Sequence, residues 1–355
     1  MTFLTERAAE ELIAASAFAP AVPGFVGIAV DLLLDPACAP TGRRSLRHGF
    51  LDARSPRVMV VSGPPSPGLE VALRRMQDDL AASQRVVEQH GLTVLPHATD
   101  TVHPEGPAHA LGTATAGIRV GLEAGLEGGG ILGLQQRWAL AHTLAPVLAA
   151  AFANAPLRHG RPTGWRSVRQ ALRRDLPVLP TSEGRIGVDP RTAWTAYVME
   201  APTVTGRTLR ERLRAGNRIT EADLQRHLTA LRPPVAARGH LELDVADRQA
   251  GQNWRVPATV ATVLLDDPPA AAEAYAATAH LVGERGLWER AARDGLTDPV
   301  LAAAARACFL AAYGALARHG ADRALRDAVA DFADTYVYRN RCPADDVLDR
   351  AAARP

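Results

Sequence analysis

The chain has 355 residues, 47% of them hydrophobic, and its 40 basic side chains nearly balance its 38 acidic ones. That is enough apolar material for a large core. The basic residues are scattered, which argues against a broad nucleic-acid surface but leaves room for a local anion pocket. Three cysteines, Cys38, Cys308 and Cys342, lie far apart with no CxxC pair. This usage points to a reduced, cytoplasmic protein without a zinc motif.

The N-terminus, "MTFLTERAAEELIAASAF", reads as an amphipathic helix and not as a signal peptide, because no basic region precedes an apolar core. In "FVGIAVDLLLDP" Val26, Ile28, Val30 and Leu32 alternate, which predicts a strand over 25–34. "RVMVVSGPP" is a short apolar run stopped by Gly63 and two prolines, and predicts a buried strand over 57–62. Ser66-Pro67 then reads as the start of a helix over 67–90, with Leu69, Leu73, Met76 and Leu80 on its core face and Gly91 after its end. "GLTVLP" predicts a short strand and 97–110 a loop.

"TAGIRVGLEAG" alternates again. Ile118, Val120 and Leu122 face one way, Arg119, Gly121 and Glu123 the other. "GLEGGGILG" reads as a flexible link. A helix from about Gln135 to Asn154 follows, apolar on most of its surface. Its apolar core, near Trp138 to Phe152, is too short and too polar to span a bilayer, so no membrane association is expected. Thr220 and Asp223 make a capping pair for the next clear helix, which Pro233-Pro234 stop. A strand over 238–246 comes next, and after Pro257 the chain reads as Ala-rich helix in about four segments. Strands joined without regular βαβ alternation imply an α+β fold, a mainly antiparallel sheet with packed helices. The expected organisation is a single domain over 1–355. Its 20–125 part is sheet-rich with the 67–90 helix, and its 135–355 part is mostly helical but supplies the 238–246 strand.

Two stretches carry candidate chemistry. In "ARGHLELDVAD" Leu241, Leu243 and Val245 fall on one side and His240, Glu242 and Asp244 on the other. Glu242 and Asp244 are roughly 7 Å apart along the strand. Hard oxygen ligands at that spacing suit Mg²⁺; a solvated strand face is the alternative. In "GRPTGWRSVRQ" Arg161, Arg166 and Arg169 surround Gly160, Gly164 and Ser167. Arginines in a glycine-containing loop that opens a helix make a phosphate or carboxylate clamp, or an ordinary basic helix start. The remaining signals are weaker. "LEGGGILG" lacks the Gly-Lys-Ser/Thr of a P-loop, His97 and His103 lack metal-ligand spacing, Cys308 reads as core, and Ser62 has no G-x-S-x-G context.

Several stretches together, among them "GRPTGWRSVRQALRRDLP", "DPRTAWTAYVMEAP", "RHLTALRPPVAARGHLELDVADRQAG" and "NRCPADDVLD", resemble the glutamate–cysteine ligases of the plant and actinobacterial type, the ergothioneine-pathway branch in particular. The resemblance covers roughly Gln135 to Asp349, with a weaker echo before that. It implies the catalytic fold shared with glutamine synthetase and guanido kinases. It implies ATP and Mg²⁺ as cofactors and glutamate and cysteine as substrates, with the γ-carboxylate phosphorylated and then attacked by the cysteine amine. By position, Glu242 becomes a metal ligand and catalytic residue, with Asp31 and Asp244 as further metal candidates. Arg166 and Arg169 inherit a substrate or phosphate role, and Arg161, Trp165, Ser167 and Arg238 fall in the cofactor-binding stretches.

The departures from the family pattern concentrate where its charge handling sits. Where the first family strand has Glu-x-Glu, this chain has Ala29 and Asp31; where the second has Gln-x-Glu, it has Val58 and Val60. Arg119 and Gly121 replace Gln and Asn, and Asp244 replaces arginine. An ion pair of Arg119 with Asp31 or Asp244 would hold the pocket together in place of metal. Three readings follow: a ligase with an unusual metal site, a non-catalytic relative that binds a protein partner or a small ligand, and a carboxylate–amine ligase of changed substrate.

Overall fold

The computed structural model describes residues 3–35, 42–99, 115–158, 160–172, 188–203 and 205–353. The sheet strands are β1 (Phe25–Asp35), β2 (Arg44–Ser45), β3 (Phe50–Ser55), β4 (Val58–Ser62), β5 (Ser66–Pro67), β6 (Thr93–Leu95) and β7 (Gly117–Leu122). Two short strands, β8 (Leu157–Arg158) and β9 (Arg161–Pro162), form a separate hairpin; β10 (Val235–Ala237) and β11 (Leu241–Asp247) return to the main sheet. Its order is β10-β11-β7-β1-β4-β3-β2, with β5 and β6 also paired to β1, and every pairing is antiparallel. The α+β expectation therefore holds, and the four anticipated strands all lie in this sheet.

Register explains how the sheet divides its residues. Val30 pairs with Ile118, Ile28 with Val120, and Leu243 with Val120 from the other side. These side chains share one face, with Met59 and Val61 of β4 opposite Leu32 and Val30. Helices cover that face. Leu148 of the Leu134–Ala151 helix and Phe152 at its C-cap, with Pro257 and Ala261 of the Arg255–Asp266 helix, meet Ile118, Val120, Leu243 and Val245. The Leu69–Gln89 helix adds Leu73 and Met76 to the same core. The Leu134–Ala151 helix buries 15 of its 18 residues, so it reads as apolar all round.

Several expectations need correction. The 50–55 segment, "FLDARS", is a further strand and the hairpin partner of β4. The second helix starts at Leu69 after Gly68, not at Ser66-Pro67. Ser66 and Pro67 instead pair with β1, and Ser66 Oγ accepts from Arg75 at 3.1 Å. Arg238 and Gly239 form the turn between β10 and β11, so the strand read as 238–246 begins at Leu241. After Pro257 the helical tail has more than four segments. One of them, Pro299–Arg318, is long and apolar enough by length and composition to cross a membrane; 56% of that span is buried inside the fold. The 97–110 loop, His103 and Cys38 lie wholly or mostly outside the described residues.

Candidate active site

The face of the sheet turned away from the helices carries the charges. Ala29 pairs with Ser62 and with Arg119, Asp31 pairs with Val60, and Gly121 pairs with both Gly27 and Glu242. Paired residues share a face, so Asp31, Arg119 and Glu242 stand on one surface. Period two then breaks. A bulge between Leu243 and Ala246 lets one strand present two acids, Asp244 and Asp247, to the same side chain.

Asp31 is completely buried and fully engaged. Arg54 donates to it at 2.8 Å, Arg119 at 3.2 Å and the Gly117 N–H at 3.1 Å. Its backbone carbonyl accepts from Arg248 at 2.7 Å. Burial opposes the charge on Arg119, but Asp31, Asp244 and Glu242 outweigh it and hold the guanidinium above its ordinary pKa. Burial brings Arg248 down to about 10, partly offset by Asp31.

The second group centres on Arg169, 3% exposed, which donates to Asp244 and, at 3.4 Å, to Asp247. Gly117 makes this possible. A Cβ there would fall 2.1 Å from Arg169 Nη2. Gln170, beside Arg169, donates to the Val245 carbonyl at 2.6 Å and anchors the loop onto the bulge. A third group lies four residues along β7. Arg238 donates to Glu242 at 3.0 Å and to the carbonyls of Leu228 and Leu231. His240 packs over Gly121, where a Cβ would approach its Nε2 to 2.9 Å. Burial pushes the His240 pKa down, although Glu242 pulls the other way.

The anticipated residues thus separate. Asp31, Arg119, Asp244 and Arg169 gather at one end of the face, and Glu242, Arg238 and His240 sit at the other. Arg169 is buried in the network and not at a rim. Arg166 turns away and donates to Asp345 at 2.8 Å, tying the loop to the Pro343–Ala352 helix. Ser167 is buried, and its hydroxyl caps the short helix by accepting from the Gln170 N–H at 3.1 Å. Trp165 donates its backbone N–H to Thr163 at 3.2 Å, and Arg161 is exposed in the β8–β9 hairpin. Sequence reasoning missed Arg54, Arg232 and Arg248. Arg54 had a signal, since Asp52 and Arg54 alternate with Leu51 and Ala53 in "FLDARS".

The acids do not fit a shared divalent cation. Asp31 lies against Gly117 and Glu242 against Gly121, on strands flanking β7. That places them about 13 Å apart along the strands and roughly 10 Å across them. Two ligands of one Mg²⁺ must each lie about 2.1 Å from it. Asp31 and Asp244 share an end, but Arg119 and Arg169 occupy the ground around them. Among the described residues no group of three or more acidic, His or Cys side chains could hold a metal ion.

Comparison with known proteins assigns the chain to a class. Residues 106–355 match glutamate–cysteine ligase family 2 (GCS2), and the chain belongs to that family. Among its relatives is the glutamate–cysteine ligase EgtA of Mycolicibacterium smegmatis, 33% identical, with 83% of this chain and 76% of the relative covered. EgtA of Mycobacterium tuberculosis is 32% identical over 82% and 75%. Two solved structures share the fold at low identity. The bifunctional glutathione synthetase of Pasteurella multocida matches with a TM-score of 0.57 at 13% identity over 98% of this chain, which spans 51% of that larger protein. The glutamate–cysteine ligase of Francisella tularensis, in complex with AMP, matches at 0.54 and 12% over 95% of this chain and 86% of that one.

Proposed function

We propose that this protein keeps the glutamate–cysteine ligase scaffold as a binder of a small anionic ligand and has given up metal-dependent condensation of glutamate with cysteine. The observation that carries this reading is Asp31, held between Arg54 and Arg119 at 2.8 and 3.2 Å. Phosphorylating a carboxylate with ATP brings several negative oxygens together. In a site of low dielectric that repulsion must be met by bound cations placed around the transferred group. Here the acids that would hold Mg²⁺ are committed to arginines of the same chain. The face still offers arginines to a carboxylate or a phosphate, so binding of ATP or glutamate does not require turnover.

The test is phosphate release with glutamate, cysteine and Mg·ATP. Release no greater than the no-enzyme control is the expected result. Robust release abolished by Glu242→Ala overturns it. A second reading has support in the identity of 33% to EgtA across most of the chain: a working ligase that forms γ-glutamylcysteine for an ergothioneine-type pathway. Release that depends on both amino acids would establish it. Release with another acid or amine would make the protein a carboxylate–amine ligase of changed substrate.

A further inference from the structure

On the charged face Arg232 feels Asp244 and Glu242 but, among the described residues, makes no direct ion pair. Arg232 follows the Glu221–Ala230 helix and precedes Pro233 and Pro234. It is half-buried, and among the described residues it makes no hydrogen bond or ion pair. Its neighbourhood is fixed on both sides. Arg238 donates to the Leu231 carbonyl just before it and to Glu242, and the Asp244 N–H donates to the Pro234 carbonyl at 2.8 Å just after it. The segment therefore runs along the β11 end of the face. Burial, and then the like charges of Arg119 and Arg238, pull the Arg232 pKa down, with Asp244 and Glu242 opposing.

That placement is unfavourable in the free protein. Glu242 is engaged by Arg238 and Asp244 by Arg169. The guanidinium nitrogens of Arg232 are not shut off from solvent, so water satisfies them in the free protein, while the two nearby guanidiniums add repulsion. A ligand that displaced this water and carried negative charge would relieve the repulsion. An oxyanion would do so, because a guanidinium fork matches carboxylate and phosphate geometry. We propose that Arg232, beside Arg238, is the anion-recognition residue of this face, binding the carboxylate or phosphate group of its ligand. The proposal rests on the reading that this face is a small-molecule pocket.

Thermal unfolding and calorimetry test it with three probes used separately: inorganic phosphate, L-glutamate and ATP. Phosphate and ATP report a phosphate source, glutamate a carboxylate source. The wild type should gain melting temperature with at least one, since a ligand of the native state stabilises it by mass action. Arg232→Ala should weaken that ligand about tenfold or more. Without ligand, it should melt no lower than wild type, because no partner is orphaned and repulsion is relieved. Arg232→Lys should retain charge but only part of the affinity. Affinity within twofold of wild type in Arg232→Ala overturns the proposal. So does a wild type that responds to none of the three probes, or a ligand-free Arg232→Ala that melts well below wild type, which would make the residue structural. Robust ligase turnover with Arg232-dependent binding would remove the non-catalytic reading and leave this inference standing; absent turnover with unaltered binding would do the reverse.

Discussion

The helix-covered face of the sheet and the face that carries Asp31 are built on the same strands, yet they tolerate change in opposite ways. On the first, Ile118, Val120 and Leu243 meet other apolar groups. Their attraction is non-directional and scales with buried area, so a trimmed side chain loses stability in proportion to what was removed. On the second, each paired arginine and acid is favourable only while its partner stays in place. The lesson is that one face is graded and the other is all-or-none.

The largest effect should come from breaking the charged face at its centre. Asp31→Ala removes the acceptor of Arg54, Arg119 and the Gly117 N–H, and should lower stability by about 3–5 kcal/mol. Ile118→Val on the opposite face should lower it by only about 0.5–1.5 kcal/mol. Urea unfolding measures both. If the charged face behaves as stated, Asp31→Leu combined with Arg119→Met is less destabilised than the sum of the two single changes, the remaining loss coming from Arg54 and the Gly117 N–H. A double variant as unstable as the sum of its singles would break the comparison.

Gly117→Ala sharpens it without touching a charge. The new methyl falls where Arg169 Nη2 lies and forces that guanidinium off Asp244 and Asp247. A loss of about 1–3 kcal/mol is expected in the same assay. Arg169→Met in the Gly117→Ala background should then add less than Arg169→Met does in the wild type.

The apolar core has its own titrating group. His142 stands edge-on to Trp138 with ring centroids 4.4 Å apart, its Nε2 shut off from solvent, and burial pushes its pKa from 6.5 down to about 3. A folded-state pKa below the unfolded value means the unfolded chain binds more protons between the two. The stabilisation is present above pH 6.5 and is lost as pH falls towards 3. Chemical unfolding at a series of pH values should show a slope of about 1 kcal/mol per pH unit from this group. His142→Gln should flatten that slope; an unchanged slope would assign the acid sensitivity to other groups. A similarly small effect is expected at the periphery. Thr220→Ala removes the hydroxyl that accepts from the Asp223 N–H in a capping box, and should lower stability by about 1 kcal/mol.

The two faces also differ in how far the sequence exposes them. Alternation in 25–34 and 117–122 marked Val30, Ile118 and Val120 as inward, because burial repeats with the pleat and needs only local information. The same alternation put Arg119 and Glu242 on the charged side. Pairing was another matter. Arg54 comes from a hairpin strand too short and polar to stand out, and Arg169 reaches the sheet from a four-residue helix 75 residues before Asp244. The bulge at Leu243–Ala246 swings Asp244 and Asp247 towards one arginine, and no period-two reading carries a bulge. The sequence marks Arg166, Ser167 and Trp165 as a binding loop, and it carries no sign that Arg166 bonds Asp345, that Ser167 caps Gln170 or that the Trp165 N–H donates to Thr163.

Arg119 has a consequence for how this face answers the cell. Its positive charge is covalently tethered and stays beside Asp31 at every concentration of free cation. EDTA cannot strip it, Ca²⁺ or Mn²⁺ cannot exchange for it, and it does not leave with a departing product. On the proposed reading, in which this face binds an organic anion, the charge at Asp31 is neutralised without drawing on the cell's free magnesium.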